Sequence, residues 1–223
     1  MKKSVLLVFA FFVVLQITAQ TEVGIRIGTN ISKIKNKSGG GAGNATALLD
    51  VALPVKIGIS KGFFVMPELH FIQKGQKVTY TDLGGIEGKG KYFNNYIELP
   101  ILIGYGYGTS DDFFTFYGGL GPFVGYAISS RSVSKINGNK EKQKIEFDNS
   151  YDSDLTKDQR LDAGLAAGAG IGLLAGPGKF TFDLRMNFDM VDARKFQNGR
   201  PNGYQGTFNF GFGIGAGYNF IIN

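Results

Sequence analysis

The sequence predicts an all-β protein: an eight-stranded, antiparallel, up-and-down transmembrane β-barrel with short periplasmic turns and long extracellular loops. Three observations carry this. Apolar and polar residues alternate with period two along eight segments. The connections between those segments are short and long by turns. Glycine, 34 of 223 residues, is about twice as frequent as usual and crowds one face of several segments.

The clearest segment is 180–190. Phe180, Phe182, Leu184, Met186, Phe188 and Met190 fall on one face, and Thr181, Asp183, Arg185, Asn187 and Asp189 on the other. Period two is a strand signature, because successive side chains of a strand point to opposite sides. Segment 208–220 sets Phe, Ile, Ala and Tyr against glycine and asparagine. Segments 23–31, 49–59, 63–73, 92–107, 113–130 and 161–173 alternate in the same way. Each approaches or exceeds the ~9–11 residues that a tilted strand needs to cross a bilayer.

The chain starts with a targeting pattern. Lys2 and Lys3 precede an unbroken apolar run at 5–15, and Ile17-Thr18-Ala19 offers a small residue before Gln20. This reads as a secretory signal peptide over residues 1–19, cleaved after Ala19, with a barrel domain over 20–223. A membrane-anchor helix needs ~20 apolar residues, and Gln16 interrupts the run too early. Losing Lys2 and Lys3 takes the formal charge from +6 to +4. There is no cysteine, which excludes a disulfide scaffold, a thiolate zinc site, a thiol nucleophile and a lipoprotein anchor.

Short links (60–62, 108–112, 176–179) and long links (32–48, 74–91, 131–160, 191–207) alternate, as in outer-membrane barrels. A soluble lipocalin-like carrier of a small ligand shares the strand count but reverses the faces: apolar inward, polar to water. Here the non-apolar faces of 161–173 and 208–220 are mostly glycine, unsuited to a water-facing strand but suited to a narrow lumen filled by neighbouring side chains. Tyr105, Tyr107 and Tyr218 fall where a periplasmic aromatic girdle belongs. The expected location is the cell outer membrane.

The chain also resembles the PorT-like outer-membrane β-barrel family of Bacteroidetes. The likeness lies in Val23-Gly24-Ile25-Arg26-Ile27-Gly28-Thr29-Asn30, in Met66-Pro67-Glu68-Leu69 leading to Gln73-Lys74-Gly75, and in Tyr96-Ile97-Glu98-Leu99-Pro100. Tyr117-Gly118-Gly119-Leu120-Gly121-Pro122 and the Gly-aromatic final strand extend it over nearly the whole mature chain. The resemblance implies a barrel of the Gram-negative outer membrane and points toward protein secretion. Many outer-membrane barrels end on an aromatic residue; Phe220 lies three residues before the end.

Alternation places Arg26, Lys56, Glu68, Glu98, Asp183 and Arg185 on the lumen face, three cations and three carboxylates. Buried charges need partners, so these should pair in the lower half of the barrel and fill it. Glu68 and Glu98 are expected on neighbouring strands, sharing cations drawn from Lys56, Arg26 and Arg185. An ion path or an acid/base pair is the alternative use of such a cluster.

His70, the one histidine, shares the lumen face with Glu68. A hydrolytic triad needs a nucleophile beside the histidine. Membrane lipid-A deacylases place a serine two residues on, where this chain has Ile72. A packing role is therefore expected for His70, with no catalytic residue, no metal site and no cofactor.

The acidic stretch 148–158 lacks the third carboxylate and the glycine of a calcium loop. Segment 131–160, with seven Lys/Arg and six Asp/Glu, reads as nearly neutral and unsuited to nucleic acid. Lys33, Lys35 and Lys37 are candidates to meet lipid phosphates, and 38–44 reads as a loop without a phosphate cradle. The sequence thus favours a monomeric barrel in outer-membrane lipid, structural or secretion-associated, meeting protein partners through its loops, chiefly 131–160. An outer-membrane enzyme acting on lipid or peptide is the competing class.

Overall fold

A computed structural model describes residues 20–36, 43–81, 87–108, 112–136, 139–147, 156–198, 202, 204 and 206–222. The expected leader at 1–19 lies outside them, as do Lys37, the glycines at 39–41 and most of the acidic 148–158 stretch. The strands are β1 (Thr21–Asn36), β2 (Thr46–Ser60), β3 (Phe63–Thr81), β4 (Glu87–Tyr107), β5 (Phe114–Ile136), β6 (Asn139–Ile145), β7 (Thr156–Asp158), β8 (Leu161–Ala175), β9 (Gly178–Asp189), β10 (Arg194–Phe196) and β11 (Thr207–Ile222).

Eight strands close a ring in the order β1-β2-β3-β4-β5-β8-β9-β11 and back to β1, and every neighbouring pair is antiparallel. The closing pair β1–β11 is in register from Thr21↔Ile222 to Asn36↔Thr207. Closure satisfies every ladder hydrogen bond without an edge, which a membrane-spanning sheet requires.

The turns at one end are tight for a stated reason. Lys61 and Gly62, between β2 and β3, both have positive φ (45° and 88°), the conformation of a type I′ hairpin turn. Gly176, between β8 and β9, has φ 60° and precedes Pro177, whose ring fixes a negative φ; this pairing suits a type II′ turn. Both ends of the ring, Thr21 and Ile222, lie at this same short-turn end.

The faces are those of a membrane barrel. Apolar side chains point outward: Ile27 is 62% exposed on the isolated chain, Ile103 60% and Leu120 67%. Polar side chains point inward: Arg26, Asp50 and Glu68 are each 1% exposed. A lipocalin-like carrier would show the reverse, so the outward wall excludes it. At the short-turn end the rings gather in edge-on pairs, with centroids 5.2 Å apart for Phe63–Tyr105, 5.0 Å for Phe180–Tyr218 and 4.9 Å for Tyr218–Phe220. Tyr218 also donates its hydroxyl to the Ala175 carbonyl at 2.7 Å.

At the far end the strands outrun the apolar alternation. β3 continues past 73 to Thr81, β4 begins at Glu87 instead of 92, and β5 passes 130 to Ile136. The ladder Gln76↔Tyr92 through Thr81↔Glu87 persists although neither face is consistently apolar there. Backbone pairing carries it. Much of the expected loops 74–91 and 131–160 is therefore strand. β6 folds back along β5, and β7 pairs with β10 to form a separate two-stranded sheet.

Candidate functional site

The lumen holds three groups of charge. Nearest the tight turns, Glu22 meets Lys56 at 3.4 Å and Lys179 at 3.6 Å. In the middle, Arg26 binds Asp50 and Asp183, each at 2.7 Å. Arg185 binds Glu68 at 2.6 Å and approaches Asp183 at 3.8 Å. His70 lies between two carboxylates: Nε2 is 2.7 Å from Glu68 and Nδ1 is 3.4 Å from Asp50. Toward the far end, the Lys74 ammonium meets Glu98 and Asp189 at 2.7 Å and Asp162 at 2.8 Å.

Bare strand faces make these approaches possible. A Cβ on Gly168 would fall on the Arg185 guanidinium, and one on Gly215 would lie 2.5 Å from Arg26 Nε. On Gly125 it would lie 2.7 Å from Glu98 Cγ. The glycine-rich faces of β8 and β11 are thus the space into which the arginines fold.

Apolar clusters pack against these charges. Phe64, Met66, Leu102, Phe123 and Ala166 pack together inside the barrel, with Tyr117 against them. A second layer holds Ile72, Tyr96 and Ala127, with Phe147. Lys56 stands 5.4 Å from the Phe64 ring and 5.5 Å from that of Tyr117. Lys74 stands 4.6 Å from the Phe123 ring. Side chains fill the bore, as eight strands allow.

All six charges predicted for the lumen face do lie inside the ring, but they do not form one network. Arg26, Glu68, Asp183 and Arg185 are joined. Lys56 belongs to the turn-end group and pairs with Glu22, not with Glu68 or Glu98. Glu98 faces His70 across the β3–β4 ladder, yet its cation is Lys74, so Glu68 and Glu98 share none of the expected partners.

Sequence reasoning missed Glu22, Asp50, Lys74, Asp162, Asp189 and Lys179 as lumen partners. Glu22 and Lys179 lie one residue outside the predicted segments 23–31 and 180–190. Asp50 precedes Ala52 by two residues, so strict alternation signals it. Lys74 falls in the predicted loop 74–91 because alternation fades after 73, and without it the lumen-facing Asp162 and Asp189 have no visible partner in the sequence.

Among the described residues, the polar partners of His70 are the carboxylates of Glu68 and Asp50, and Ile72 is buried beside Tyr96. Among the described residues, no group of three or more His, Cys, Asp or Glu is placed to hold a metal ion.

Above the Lys74 group lies a vestibule of about 590 Å³, walled by Gln76, Tyr92, Asn94, Tyr96, Phe147, Gln159, Arg194, Tyr204 and Asn209 among others. Asn209 links it to the charges below by donating to Asp189 at 2.8 Å. Asp192 holds its rim. One carboxylate oxygen accepts from the Tyr204 hydroxyl at 2.9 Å and from the backbone amides of Arg194 at 3.1 Å and Thr207 at 3.2 Å. Burial, with Asp192 alongside, pushes the Tyr204 hydroxyl above the usual phenol range. Tyr204 thus keeps the proton it donates.

Residues 18–194 match the family model described as outer membrane protein beta-barrel domain. The chain belongs to that family. No curated protein matches it. Solved structures similar to it include the attachment invasion locus protein Ail of Yersinia pestis, at 16% identity over 92% of this chain and 100% of that one, TM-score 0.39. OprG from Pseudomonas aeruginosa is 15% identical over 91% of this chain and 95% of its own, TM-score 0.46. The protease OmpT from Escherichia coli is 12% identical over 93% of this chain and 99% of its own, TM-score 0.40.

Family membership and the outward apolar wall place this barrel in the outer membrane. Its tight turns and both ring ends are periplasmic, and the vestibule with β6, β7 and β10 opens outside.

Proposed function

We propose that this outer-membrane barrel is a structural or secretion-associated interaction protein that works through its external surface. The carrying observation is the contrast between the two ends of one bore: ion pairs and apolar layers fill it within the membrane, while a vestibule and two extra strand pairings are built outside. External segments that are ordered and stacked on a rigid scaffold are where binding usually resides. The PorT-like resemblance inclines the reading toward secretion of surface proteins, with the 1–19 leader removed and the barrel acting as a monomer. No catalytic role is assigned. His70 is held by carboxylates on both sides, and among the described residues no hydroxyl meets its ring.

The test is crosslinking and co-purification from native membranes, comparing wild type with a variant whose β6 hairpin is replaced by a tight turn. The secretion of surface proteins is measured in the same strains. A reproducible partner and a secretion defect that both depend on the hairpin support the reading. Hydrolysed phospholipid or altered lipid A, abolished by His70→Ala, would replace it with an enzyme.

A further inference from the structure

The external extensions of β3, β4, β5 and β6 form a four-stranded sheet whose register sorts charge by face. Arg131 opposes Lys144 in a row that also contains Phe93. In the next row, Lys77, Lys91 and Lys142 align across Val133. In the third, Lys89, Lys135 and Lys140 stand side by side on three strands. Opposed residues share a face, so eight cations lie on one side of the sheet over three rows that contain no carboxylate. Glu141, on β6, falls on the other face, opposite Ser134. The near-neutral sum over 131–160 conceals this segregation.

Such a surface is unfavourable by itself, because like charges directly opposite one another destabilise a strand pair. Among the described residues, none of the eight pairs with a carboxylate. Lys91 donates to the Ala47 carbonyl at 2.8 Å; burial, with Lys140 nearby, pushes its ammonium below the usual lysine range. Lysines on an edge strand can serve only to block further pairing, and that would explain those on β6. It would also cover Lys77 on β3, the sheet's other edge, but not the four cations on β4 and β5, which lie inside it.

The face also has a definite position. It continues the lipid-facing wall of the same strands, where Ile97 opposes Tyr126 and both are exposed. From Ile97 to the Phe93 row is about 13 Å along the strand, or about 10 Å along the membrane normal at a ~40° tilt. The third row stands about 20 Å above Ile97 by the same reckoning. A phospholipid headgroup layer is only about 5–8 Å thick per leaflet. It reaches the first row, helped by side chains that lean down toward it, but not the third. Lys33 faces outward on β1, opposite Phe210 and apart from these rows.

We propose that this face binds a phosphorylated glycolipid of the outer leaflet, whose anionic groups extend through a sugar headgroup beyond the phospholipid phosphate level. The inference goes beyond the interaction reading and needs no protein partner, so either can fail alone.

The folded protein in detergent micelles is titrated with a phosphorylated lipopolysaccharide and with its dephosphorylated form, and glycolipids retained per barrel are counted by native mass spectrometry. Wild type should retain the phosphorylated form several-fold better. K91Q/K135Q/K142Q/K144Q should lose the preference and the matching arginine variant should keep it. About 0.5 M salt, with a screening length near 4 Å, should weaken it. Heparin and duplex DNA are titrated in parallel as soluble polyanions. Equal retention of the two glycolipids, a preference that survives in the glutamine variant, or tighter binding of a soluble polyanion than of the glycolipid would each overturn the proposal.

Discussion

Arg185 on β9 donates to Glu68 on β3 at 2.6 Å, a bond that crosses the lumen between strands that are not neighbours in the ring. Backbone ladders hold each strand only to the next one. This pair, with Arg26 joining Asp50 on β2 to Asp183 on β9, ties opposite walls together.

Removing one partner leaves a buried charge without its nearest counter-ion. Glu68→Gln should lower unfolding stability by about 3–5 kcal/mol, less where lumen water relieves the guanidinium. Replacing both residues with methionine should recover much of the loss. Urea unfolding in lipid vesicles measures both, and an unchanged Glu68→Gln barrel would show that the pair contributes little.

Lys74 is the sole cation in contact with Glu98, Asp162 and Asp189 among the described residues. Lys74→Met strands three carboxylates, whereas Glu98→Gln removes only one of them. The lysine variant should therefore be the less stable of the two in the same unfolding measurement. The reverse order would mean that the carboxylates are satisfied from elsewhere.

Glycines on the two sides of the wall should differ in tolerance. A Cβ on Gly121 would overlap the Ile101 carbonyl oxygen, while on Gly118 the nearest atom would be 3.8 Å away. Gly121→Ala should reduce folding yield, and Gly118→Ala should fold like wild type. Equal refolding of the two into vesicles would contradict the close approach of β4 and β5.

Asp192 gathers three hydrogen bonds at the vestibule rim. Asp192→Ala should loosen that rim without disturbing the ring. Externally added protease should then cut the 191–207 connection faster in intact cells, while the bilayer-embedded barrel stays protected. Unchanged cleavage would place the rim's order elsewhere.

The parts of the fold legible in the sequence are those where the membrane imposes a rule. From Phe180 to Asp189, lipid on one side and a packed bore on the other force strict alternation, and strand, face and lumen position all follow. Beyond Gln73 that constraint ends. β3 continues on hydrogen bonds alone, and no local pattern distinguishes Lys74 in a strand from Lys74 in a loop. Ion-pair choice was less legible still. Alternation puts Lys56 and Glu98 on the lumen face but says nothing about strand tilt and stagger, which set their heights and separate them. The basic outer face needed the cross-strand register, since its residues come from segments where acids and bases are mixed along the chain.

The most direct test of a bore filled by its own side chains is electrical. Purified barrel inserted into a planar lipid bilayer should show no stable open step under an applied potential, because eight strands enclose only enough room for side chains and the ion pairs and apolar layers occupy it. Stable, porin-sized conductance from the folded wild-type protein would contradict the filled lumen and the assignment of function to the external surface.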